Sequence, residues 1–81
     1  MVRVKVNQRA FEIALSKKNL SQRDLAKLIG FSRSHVSFIT NGKREPSAVM
    51  RRLILEHLHD YTFDDLFTIE EGGNGDRNKV E

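Results

Sequence analysis

Cysteine is absent from these 81 residues, which excludes disulfides and thiolate metal sites but decides nothing about compartment. No apolar run approaches the ~18 residues of a membrane span, and no signal-peptide pattern opens the chain. A cytoplasmic protein without membrane contact is the expectation. Catalytic constellations are missing too. Asp64 and Asp65 fall in the first turn of an expected helix, where carboxylates meet the positive dipole end, and that role accounts for them. The histidines offer no zinc site: His57 and His59 stand two apart on a helix and point away from each other. Gly72-Gly73 lacks the strand and helix that a phosphate loop requires. Neither an enzyme nor a cofactor or metal is expected. From the length, which sits near the lower limit for one self-sufficient core, a single domain is the expectation.

Acid is scarce along most of the chain. From Met1 to His59 there are 12 Lys+Arg against 4 Asp+Glu, a balance of +8, and from Asp60 to Glu81 there are 2 against 7, a balance of −5. The net charge of +3 conceals this asymmetry. A concentrated positive field draws polyanions and speeds encounter, although charge alone is equally compatible with a solvated surface.

Inside the basic part, residues 21–42 read as two short helices meeting at a tight turn. Ser21 with Asp24 three residues on is a capping-box start, Gly30 stops the helix, and Ser32 opens the next. Leu25, Leu28 and Ile29 on the first helix, and Val36 and Ile39 on the second, recur at helical spacing, so each helix offers one apolar stripe. At 100° per residue, Arg33, Ser34, Ser37, Phe38 and Asn41 occupy an arc of about 140° on the other side of the second helix. That face carries a cation, two hydroxyls, an aromatic and an amide, and no carboxylate. Such a surface suits the major groove of DNA, whose edges present guanine acceptors and thymine methyls.

The segment resembles the phage-repressor type of helix-turn-helix, the XRE or lambda-repressor-like family. The matching residues are Gln22, Leu25-Ala26, Ile29-Gly30-Phe31, Val36, Ile39 and Asn41-Gly42-Lys43, and the resemblance covers roughly residues 7–67, the length of such a compact helical domain. It implies a DNA-binding regulator. It further implies that Gln22 and Asn41 contact the phosphate backbone, and that two copies bind as a homodimer with reading helices one helical turn apart, ~34–36 Å. Phe38 departs from the family, whose members more often carry a polar or small residue there. A second functional class stays open: a protein-interaction module, such as an antitoxin or adaptor, built on the same scaffold.

Base reading is assigned to Arg33, Ser34, Ser37 and Phe38. Arg33 stands at the start of the reading helix, where its fork can bond guanine O6 and N7, and a groove-facing Phe38 would pack on a thymine methyl. The alternative for Phe38 is sideways packing against the Lys43–Pro46 loop. Phosphate contacts are assigned to Gln22, His35, Asn41, Lys43 and Arg44, with His35 on the flank of the helix and Lys43 and Arg44 on the loop beyond it.

Around this core, Val2, Val4 and Val6 alternate with Arg3 and Lys5, the period of a half-buried strand, and Phe67 and Ile69 alternate with Thr68 and Glu70. Paired, they would join the termini as a ribbon and let Arg3 and Lys5 meet Glu70; unpaired, they are two frayed ends. Asn7 caps a first helix with Phe11, Ala14 and Leu15 inward and Asn19 as a left-handed stop. Ser47 caps a helix that buries Val49, Met50, Leu53, Ile54 and Leu58, and Thr62 opens a short last one carrying Phe63 and Leu66. Phe63, Phe67 and the last strand edge are candidates for a dimer seam, with core packing as the competing role. The fold expected is an all-α, five-helix lambda-repressor-like bundle over residues 1–71, with a two-stranded ribbon as an addition and residues 72–81 as a flexible tail.

Overall fold

The computed structural model of the chain describes residues 2–71, so the tail expected at 72–81 lies outside the described residues. In order, the elements are β1 (Val2–Val6), α1 (Gln8–Lys17), α2 (Gln22–Ile29), α3 (Arg33–Thr40), α4 (Ala48–His57), α5 (Phe63–Leu66) and β2 (Phe67–Glu71). All five helices form where periodicity and caps place them. The ribbon forms as well, within one chain, so the all-α class is corrected to five helices plus a two-stranded antiparallel sheet.

Short polar side chains start each of the four longer helices by accepting from otherwise unpaired N–H groups. Asn7 Oδ1 accepts from Ala10 N at 3.3 Å, Ser21 Oγ from Asp24 N at 3.0 Å, Ser32 Oγ from His35 N at 3.1 Å and Ser47 Oγ from Met50 N at 3.1 Å. At α5 the Asp65 carboxylate accepts from the Thr62 N–H at 2.8 Å. Left-handed residues end the helices, Asn19 after α1 at φ 58° and Gly30 after α2 at φ 79°. A side chain at Gly30 would be strained by that backbone even though the space around it is open.

Phe11, Ala14 and Leu15 of α1, Leu25, Ala26 and Ile29 of α2, Val36 and Ile39 of α3, Met50 and Ile54 of α4, and Leu58 and Leu66 form one buried core. Val6 and Phe67, opposite each other in the ribbon, complete it. Phe67 is therefore core, not a dimer seam, and half-buried Phe63 packs on it with ring centroids 5.2 Å apart. Farther along the ribbon Val4 is half-buried while Val2 and Ile69 are exposed, because the helices cover only its base.

Three expectations about partners and faces are corrected. Arg3 does not turn to Glu70: its Nε donates to Glu45 Oε2 at 2.9 Å, and the Val4 N–H donates to Glu45 Oε1 at 3.2 Å, while Lys5 alone meets Glu70, at 3.8 Å. The loop after α3 is thus tied to β1, and the buried Pro46 anchors its end. Leu28 and Val49, read as buried stripes of α2 and α4, are exposed, since no described element packs over them.

Candidate nucleic-acid interface

The turn between α2 and α3 is closed by backbone bonds that a left-handed glycine permits. Gly30 N–H and Phe31 N–H both donate to the Ala26 carbonyl, at 2.9 and 3.0 Å, a Schellman-type ending that reverses the chain within two residues. Ala26, small and buried, lies beneath that turn. With Val36, Ile39 and Thr40 facing the core, the opposite side of α3 is turned outward.

That outer face carries the residues assigned to base reading. Arg33, Ser34, Ser37 and Phe38 together line one open concavity, with Phe38 49% exposed. Asn41, exposed at the end of the same face, reaches back with Nδ2 to Ser37 Oγ at 3.4 Å, and Lys43 and Arg44 are exposed on the loop beyond. The loop leaves α3 through Gly42, at φ 76°, and a Lys43 N–H to Phe38 carbonyl bond of 2.9 Å. His35 sits apart, half-buried on the flank, with its ring 5.3 Å from that of Phe31.

Gln22 opens α2 on the same side. It is half-buried and lines a second depression with Ser21, Arg23, Asp24 and Arg33, so Arg33 borders both hollows. Its Nε2 donates to Thr40 Oγ1 at 3.0 Å, and that hydroxyl donates in turn to the Ser37 carbonyl at 3.1 Å. Thr40 is 2% exposed, a buried polar group with both its donor and acceptor capacity used. Sequence reasoning missed this brace between the start of α2 and the end of α3. The available signal was Thr40's place one helical turn after Val36, on the core side.

The electrostatics of the face are one-sided. Across residues 21–44 five Lys+Arg stand against a single acid, Asp24. The Ser21 backbone N–H, bonded at 2.9 Å, holds the Asp24 carboxyl below the usual carboxylate range, so its charge is committed to the helix cap. Among the described residues neither Arg33, Lys43 nor Arg44 is paired with a carboxylate. The arrangement provides guanidinium, ammonium, hydroxyl and amide donors around an exposed ring, the functional groups that phosphates and base edges accept. Among the described residues no cluster of His, Asp and Glu has the makings of a metal site, and no helix is long and apolar enough to cross a membrane.

A comparison with curated proteins found no match. A family model described as helix-turn-helix matches residues 12–66, a span that takes in α2, the turn, α3, α4 and α5 and leaves out both strands. With that match over most of its length, the chain belongs to the XRE-type, lambda-repressor-like helix-turn-helix family of DNA-binding domains.

Proposed function

We propose that this chain is a transcriptional regulator that binds double-stranded DNA sequence-specifically, with α3 in the major groove. The observation that carries the reading is the outer face of α3: Arg33, Ser34, Ser37 and Phe38 share one acid-free concavity beside cations that pair with no carboxylate among the described residues. Arg33 bonds a guanine edge, the two serines donate to or accept from neighbouring bases, and Phe38 packs on a thymine methyl. Gln22, His35, Asn41, Lys43 and Arg44 contact phosphates around that face. Gln22 is pre-oriented by Thr40, so little side-chain freedom is lost when it meets the backbone. Residues 1–71 are the binding unit, and the protein acts in the cytoplasm as a homodimer on DNA.

Selection of random duplexes by the purified protein, read by sequencing, tests this. The expected result is an inverted repeat whose half-sites lie about one helical turn apart and contain a guanine. Recovery of no common sequence would overturn specific reading. The competing role, a protein-interaction module, differs in salt behaviour: phosphate neutralisation releases counterions and makes affinity fall steeply with salt.

A further inference from the structure

Outside the α3 face, the exposed large apolar side chains among the described residues are Val2 and Ile69 at the ribbon tip, Ile13 on α1, Leu28 on α2 and Val49 on α4. On α4, Val49, Arg52, Leu53 and Glu56 line one shallow concavity. Val49 is 53% exposed and Leu53 half-buried, and Arg52 and Glu56 are exposed with no ion-pair partner among the described residues. At 100° per residue these four lie within about 100° of one another, a single stripe with Arg52 on one flank and Leu53 on the other. Arg52 and Glu56, a cation and an anion one helical turn apart and unpaired among the described residues, make the stripe complementary to itself across a two-fold axis, with Leu53 on its other flank.

We propose that a second copy of this chain docks on this stripe, the two α4 helices antiparallel about a two-fold axis. A two-fold interface brings residue i against j and j against i. With the axis at the level of Ile54, Arg52 of each copy stands opposite Glu56 of the other, and on the far flank the two Leu53 side chains meet. The ribbon tip, with Val2 and Ile69 exposed, lacks this complementarity: two antiparallel β1 strands set Arg3 and Lys5 of one copy against Lys5 and Arg3 of the other, like charges that oppose pairing. One helix stripe covers far less than the ~1,200 Å² of total surface that stable complexes bury. Association in solution is therefore weak, and two half-sites on one duplex supply the effective concentration that completes it. The proposal deepens the dimeric part of the function proposed above, and its test contains no DNA, so it fails or stands independently of base reading.

Sedimentation equilibrium of the full chain at up to about 1 mM, a range that registers weak self-association, is the experiment. The wild type should show a mass rising from monomer toward dimer. Arg52→Glu and Glu56→Arg should each weaken association at least tenfold, because each places like charges across the axis twice. An equimolar mixture of the two variants should associate again, since every contact in the mixed pair joins opposite charges. Ile69→Lys should associate as the wild type does. Thermal melts of each variant verify folding, and rescue in the mixture requires two folded chains. A wild type that stays monomeric, α4 variants that associate undiminished, single variants without rescue in the mixture, or loss on Ile69→Lys alone would each overturn the proposal.

Discussion

Replacing Phe38 with alanine separates a reading residue from a packing residue. Burying a phenylalanine side chain fully is worth about 1.5–3 kcal/mol, and Phe38 is 49% exposed, so truncation forfeits roughly half of that. Alanine returns about half a kcal/mol of helix propensity, leaving a net cost below about 1 kcal/mol. For a domain of this size that lowers Tm by no more than about 4–8 °C. Phe11, 1% exposed, supplies the internal standard: its truncation opens a core cavity at about 3–5 kcal/mol, enough to unfold much of the population. Calorimetry on both variants and duplex selection with Phe38→Ala make the comparison. The expected outcome is a small thermal shift with preference relaxed at one thymine. A fall in Tm matching that of Phe11→Ala, with base preference unchanged, would refute the assignment.

Further outcomes follow from the same geometry. Arg33→Ala should cost about 1–3 kcal/mol in binding and relax selection at one guanine, measured by competition between duplexes differing at that position. Lys43→Ala should weaken binding to all sequences alike and reduce the slope of log K against log salt by about one. Removing residues 1–5 uncovers Val6 and Phe67 and deletes half-buried Val4, whose burial contributes about 1 kcal/mol, so Tm should fall about 4–8 °C; an unchanged melt would dismiss the ribbon as structural. Bonding to Arg3 holds the Glu45 carboxyl, and bonding to Lys18 the Asp60 carboxyl, below the ordinary range. A group whose folded pKa is depressed contributes stability above its unfolded value and loses it as pH falls through the folded one, so the melt should begin to drop below about pH 4. Glu45→Gln should shallow that acid limb.

Local signals were the legible ones. A serine that caps and a glycine at positive φ act through their nearest neighbours, which is why Ser21, Ser32, Ser47 and Gly30 read correctly from spacing alone. Alternation also exposed the ribbon, because Val6 and Phe67 need a buried face and each strand needs a partner. What the chain order hid was tertiary placement. Leu28 and Val49 lie on apolar stripes, yet a stripe identifies a face and not the element that covers it. Glu45 reaches Arg3 across 42 positions, and Lys18 reaches Asp60 across as many; no periodicity encodes which loop returns to which edge. Sequence reasoning passed over the role of Thr40, whose partner, Gln22, stands 18 positions earlier. On α3 the outward set Arg33, Ser34, Ser37 and Phe38 followed from helical geometry, while the brace behind it required the fold.

The most direct measurement is an amide-resolved NMR titration of the whole chain with a duplex carrying the selected site, recorded at moderate salt. Shifts should concentrate on residues 33–44 and around Gln22, with Thr40 moving through its bond to Gln22 although it is buried, and should fade as salt rises. Perturbation confined to the ribbon or to α1, with the amides of α3 unmoved, would contradict the claim that α3 reads DNA.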